Sequence, residues 1–158
     1  MSLEKAKAHL AKYNLADKII ILEQSSATVE LAAAALGVEA ARITKTLAFL
    51  IEEKAVLVLT AGDVKIDNRK YHDFFKTKAK MLPYENCEEL IGHPAGGVCP
   101  FGINAGIVVY LDKSLKRFAS VFPACGTGNT AIELTIPQLE SCSNYQQWID
   151  VTVEKQLL

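Results

Sequence analysis

Apolar positions recur along this chain with two different periods. Leu3, Ala6, Leu10 and Tyr13 repeat at helical spacing, which predicts an amphipathic helix over residues 3–13. Residues 19–22 form a short β-type run. Ser25 and Ser26 offer N-caps for a second helix over 28–36, and Gly37 is placed to end it. Residues 43–51 and 55–60 are apolar and rich in β-branched side chains, separated by the polar Glu52-Glu53-Lys54, which predicts an antiparallel hairpin. Short helices follow over 69–75 and 84–91, then a Gly/Pro-rich loop over 92–106, then strands over 107–111, 119–123 and 131–135. Pro137 can open a last helix at its first turn. The elements do not alternate strictly between strand and helix. They predict an α+β fold, a mixed, curved, barrel-like β-sheet flanked by helices, in a single domain spanning residues 1–158.

The first strand of the hairpin carries a chemical oddity. Side chains alternate between the faces of an extended chain, so Lys45 shares the more apolar face with Ile43, Leu47, Phe49 and Ile51. Burying a lone ammonium costs several kcal/mol unless it is paired or neutralised, on the order of what an unpaired polar group costs or more. Two readings are structural: the side chain lays its stem on apolar surface with its head in water, or it pairs with a carboxylate such as Asp63. The functional reading places it in a cleft, facing an anionic or carbonyl ligand.

A second motif bears on the choice. Gly96-Gly97-Val98-Cys99-Pro100-Phe101-Gly102 packs three glycines, a proline and an aromatic into seven residues. Such a loop brings backbone close to a ligand and can aim N–H groups at an oxygen. It does not match the phosphate-binding G-x-x-x-x-G-K-[ST] pattern. Cys99 could be a nucleophile or redox thiol, but no neighbouring residue is positioned by sequence to lower its pKa, so a buried or pocket-lining thiol is favoured. A third loop, Cys125-Gly126-Thr127-Gly128-Asn129-Thr130, is either a plain turn or a further source of donors for the same cleft.

Composition narrows the function classes. The 158 residues carry a formal net charge of −1, so no global field recruits a polyanion and any nucleic-acid surface must be local. The basic stretch over 65–80, with Lys65, Arg69, Lys70 and Lys76, is the first candidate, and Lys113, Lys116 and Arg117 are the second. Cys87, Cys99, Cys125 and Cys142 lack C-x-x-C spacing and read as reduced thiols, and His9, His72 and His93 are dispersed, so no metal or cofactor is expected. The N-terminus has charges every few residues and no stretch is long enough to span a bilayer, so a cytoplasmic protein without a membrane partner is the expectation.

Taken together, residues 28–38, Ile43-Thr44-Lys45-Thr46-Leu47-Ala48-Phe49, Ala61-Gly62-Asp63 and the Gly96–Gly102 loop resemble the YbaK/prolyl-tRNA synthetase-associated domain family, over roughly residues 25–137. The resemblance implies a mixed barrel-like sheet and a free-standing, trans-acting deacylase. Its substrate would be mischarged tRNA, notably tRNA for proline carrying cysteine or alanine, with prolyl-tRNA synthetase as a further partner. The family's lysine maps onto Lys45 and its Gly-x-x-x-Pro loop onto Gly96 to Pro100. Lys45 and Gly97 would be catalytic. Thr44, Gly96, Val98, Cys99, Pro100, Phe101, Gly102, Gly126, Thr127 and Asn129 would bind substrate. Some members carry a histidine in the late loop, where this chain has Gly126-Thr127-Gly128-Asn129. The alternative is a non-catalytic module that holds charged tRNA or a small aminoacyl ligand.

Overall fold

The computed structural model describes residues 2–155. Helix α1 (Ser2–Ala11) buries Ala6 and Leu10, two of the three periodic positions it contains; Tyr13 lies beyond its end. Strand β1 (Ile20–Ile21) follows, then α2 (Val29–Leu36). Thr28, rather than the serines before it, caps α2 by accepting from the Leu31 N–H, and Gly37 ends it in the left-handed region at φ 69°. Strands β2 (Thr44–Ile51) and β3 (Lys54–Ala61) form the predicted hairpin. Glu52 and Glu53 both turn at positive φ, 50° and 67°, the conformation that matches strand twist in a two-residue connection.

The chain continues through β4 (Val64–Ile66), α3 (Asn68–Phe75), α4 (Cys87–Ile91) and β5 (Val108–Asp112). Next come β6 (Ser120–Val121), β7 (Thr130–Ala131), β8 (Leu134–Thr135) and α5 (Ile136–Cys142). Strands β9 (Tyr145–Ile149) and β10 (Thr152–Glu154) are the last. The largest sheet runs β2-β3-β5-β9, antiparallel at its first pair and parallel at the other two. Three antiparallel pairs, β1–β7, β4–β10 and β6–β8, surround it. The fold is α+β with a mixed sheet, as its sequence predicts. The sheet does not close into a barrel, and β2 is an edge.

Each face of that sheet has its own core. Ala48, Leu57, Leu59, Val109 and Leu111 pack with α1, α5, Cys99 and Phe101. Phe49, Val56 and Val58 pack with Tyr71 and Phe75 of α3 and with Ile149 and Val151. Buried Asp112 joins β5 to the last two strands: it accepts from Ser114 N–H, Val151 N–H and the Thr152 hydroxyl.

Several elements depart from the pattern-based expectation. The run over 131–135 splits at Ile132 and Glu133, and its halves pair with different strands. The expected strand over 119–123 shrinks to two residues. Strand β4 overlaps the start of the basic stretch, and β9 reads Tyr-Gln-Gln-Trp-Ile, too polar to announce itself because it occupies a sheet edge. No helix among the described residues is long and apolar enough to cross a membrane.

Candidate active site

A cavity of about 270 Å³ opens where the first half of β2 meets the start of α2 and two loops. Thr44, Lys45 and Thr46 line it from β2, and Gly96 and Val98 from the Gly/Pro loop. Val29 and Ala32 of α2 join Ile43 and Phe122 in an apolar wall. Four of the residues singled out in the sequence, Thr44, Lys45, Gly96 and Val98, thus face one space.

Strand alternation sets the polarity of that space. Lys45 points to the face of Leu47 and Phe49, whereas Thr44 and Thr46 point to the opposite face, with Ala48. The cavity therefore wraps around the edge of β2. Lys45 is half-buried, and its ammonium donates to the Val64 carbonyl, which leaves two of its three N–H groups. Burial, reinforced by Lys155, brings its pKa down to about 8, while Asp63 and Glu30 pull the other way. Asp63 is not its salt-bridge partner: the carboxylate is held by both terminal nitrogens of Arg117, at 3.0 and 2.5 Å. The Thr44 and Thr46 hydroxyl oxygens are buried without a hydrogen-bond partner among the described residues.

The rest of the glycine loop supports this wall from behind. The Gly97 N–H donates to Pro94 O at 2.8 Å, so that amide is already occupied. A Cβ at Gly97 would lie 2.3 Å from Thr127 N, because the two loops touch through backbone there. Cys99, Pro100 and Phe101 are buried and do not line the cavity. Burial pushes the Cys99 thiol up to about 12, which removes its thiolate at neutral pH. Gly102, at φ 70°, packs on the Lys5 carbonyl and donates to His9 Nδ1 at 3.1 Å. His9 Nε2 therefore carries the proton and donates to Cys142 O at 2.6 Å, tying α1, the loop and α5 together.

The late loop is similarly inward-looking. Gly126 packs against the Ser2 carbonyl and the His93 ring. Thr127 bonds to Asn129 and Thr130, and Asn129 donates to Leu22 O at 3.2 Å. Thr130 and Ala131, rather than Gly126, Thr127 and Asn129, reach the cavity. Of the basic residues, Lys65, Arg69 and Lys76 are exposed and have no ion pair among the described residues. Lys70 differs: its ammonium pairs with Asp150 at 3.1 Å and donates to Thr152 O at 2.8 Å. Sequence reasoning missed Thr46, Val29, Ala32 and Phe122. The one available signal was the alternating Thr44 and Thr46 beside the lysine.

The sequence profile of the aminoacyl-tRNA editing domain matches residues 23–142. The chain belongs to the aminoacyl-tRNA editing domain family. Among relatives of this editing domain is YwhH, an uncharacterised protein of Bacillus subtilis, 48% identical over 152 residues, 96% of this chain and 97% of that one. A proline–tRNA ligase of Bacillus cereus strain AH820 is 28% identical over 102 residues, which cover 64% of this chain but only 18% of the ligase. A solved structure of a candidate trans-editing enzyme for prolyl-tRNA synthetase superposes on the editing domain with a TM-score of 0.85, at 28% identity and over 98% of each chain.

Proposed function

We propose that this protein is a trans-acting deacylase that hydrolyses the ester of mischarged tRNA, with tRNA for proline carrying a small residue such as cysteine or alanine as substrate. The observation that carries the reading is the convergence of Lys45, Gly96 and Val98 on one cavity in a chain of the editing family. Water adds to the ester carbonyl, the bond to the ribose oxygen breaks, and that oxygen takes up a proton as the free amino acid leaves. An aminoacyl ester is labile, and each tenfold of acceleration needs only about 1.4 kcal/mol.

Lys45 binds beside the 3′-terminal adenosine and presents its two remaining N–H groups to the ester end. The role first given to Gly97 passes to its neighbours. Its own amide is occupied by Pro94, whereas the Gly96 and Val98 amides have no backbone partner among the described residues and can receive the developing oxyanion. No triad supports attack: His9 bridges two backbone groups, and His93 donates to Phe101 O at 2.6 Å. Lys65, Arg69 and Lys76 contact tRNA phosphates, and Lys70 braces α3 against Asp150.

A panel of mischarged tRNAs tests the reading. Catalytic release of cysteine, alanine or another small residue, falling at least about a hundredfold in Lys45→Ala, is the expected outcome; a group stabilising the transition state contributes on this order. Retained tRNA binding with no release from any substrate would instead identify a binding module. A folded Lys45→Ala protein with unaltered rate would remove Lys45 from the mechanism.

A further inference from the structure

The outer edge of β2 is closed at both ends and open in the middle. At its start, the Thr44 N–H donates to Phe122 O at 3.0 Å. At its far end, the Ala48 C=O accepts from Leu82 N–H at 2.9 Å and the Leu50 N–H donates to Lys80 O at 2.8 Å. In an antiparallel strand the N–H and C=O of one residue point the same way, and successive residues alternate. Thr44, Ala48 and Leu50 all direct these groups away from β3, so Thr46 does too. Among the described residues neither its N–H nor its C=O has a partner, and Thr46 lines the cavity. Beyond Leu82 the chain meets Pro83, which has no N–H, and turns off into a short 3-10 helix at Tyr84, so nothing extends the ladder to Thr46. The gap is one residue pair wide.

An aminoacyl ester offers the complementary pair of groups on a single residue: an ammonium donor and a carbonyl acceptor. We infer that the aminoacyl group docks as a one-residue antiparallel strand on Thr46, its ammonium donating to Thr46 C=O and its carbonyl accepting from Thr46 N–H. This rests on the cavity being the ester site, and it specifies how the ester is held. The orientation follows from the ladder. The amino group lies towards Ala48, where Leu82 and Pro83 block any extension. The ester and ribose run past Lys45 towards Thr44. Residues opposed in such a pair share a face, so the substrate side chain falls on the Thr44 and Thr46 side, and Lys45 stays on the other. The site thus recognises a free α-amine, and rejects N-acylated or peptidyl esters by both a lost charge-assisted bond and a clash.

The test uses 3′-alanylamino-3′-deoxyadenosine, an amide mimic of the charged end, and its N-acetyl counterpart, with the whole protein. The free amine is expected to bind at least about tenfold more tightly, the scale of one hydrogen bond to a charged group. Its binding should shift the Thr46 amide resonance and slow exchange of that amide. Thr46→Pro removes the outward N–H, which an edge strand tolerates, and should weaken the mimic similarly, whereas Thr46→Val, which loses the hydroxyl but keeps that N–H, should not. Equal affinities, an unperturbed Thr46 amide in the bound state, or no binding at millimolar mimic would overturn the inference. Hydrolysis is a separate readout. A protein that binds the free-amine mimic through Thr46 but releases no amino acid from tRNA keeps this inference and loses the deacylase reading. One that hydrolyses alanyl- and N-acetylalanyl-tRNA equally does the reverse.

Discussion

On the proposed mechanism, Lys45 should couple activity and stability to pH in opposite directions. With its pKa lowered to about 8, the ammonium is lost as pH rises through that value, so deacylation that needs the charge should decline above pH 8 while non-enzymatic ester hydrolysis rises. Rates corrected for the uncatalysed reaction check this, and a rate still climbing at pH 9.5 would contradict a cationic role. For folding, the unfolded chain still holds the proton between about 8 and 10.5 whereas the folded chain has released it. The burial penalty is full below 8 and fades across that window, so this residue's contribution to stability becomes less unfavourable as pH rises. The advantage in urea midpoint of Lys45→Met over the parent protein should therefore shrink from pH 7.5 to pH 10. Gly97 makes a second residue-scale prediction. Its missing Cβ lets two loops meet through backbone, where a Cβ would lie 2.3 Å from Thr127 N, so Gly97→Ala must force them apart. Stability should fall by about 1–3 kcal/mol, the usual range for overpacking, and KM should rise as Gly96 and Val98 shift.

At the scale of elements, two helices begin with a threonine cap and only one of them borders the cavity. Thr28 accepts from the Leu31 N–H and also lines the cavity, and Thr135 forms a capping box with Gln138 on α5. Thr28→Ala and Thr135→Ala should each cost about 1 kcal/mol in denaturant unfolding. Only the first should also change KM, because it loosens the start of α2 against Gly96. Legibility follows the same line. Elements with strong local signals were readable from sequence: the α1 stripe, Gly37 at a helix end, the hairpin about Glu52 and Glu53, and Pro137 opening α5. Strands β9 and β10 were not, because what holds them is non-local. The buried carboxylate of Asp112 captures Val151 and Thr152 from nearly forty residues away in sequence. The site was half legible for a related reason. A strand pattern shows that Lys45 and Thr46 occupy opposite faces, but not that a cavity wraps the edge between them.

For the whole molecule, the charge available to meet a tRNA is local and small. Net charge is −1, and several cations are already held by carboxylates: Lys70 and Lys113 by Asp150, and Arg117 by Asp63. Lys65, Arg69 and Lys76 remain exposed around α3. Reversing all three to glutamate should weaken tRNA binding and flatten its dependence on salt by about 2–3 units in log–log slope, roughly one per lost phosphate contact. An unchanged slope in filter binding would move the tRNA surface elsewhere. The one-residue opening in β2 also bears on how the molecule avoids itself. A bare strand edge invites strands of other copies and is a common start of aggregation. Here Phe122 and Leu82 occupy the flanks and Pro83 follows, so a foreign strand finds room for a single rung. The protein can expose main chain to a small guest without offering a seam along which copies could polymerise.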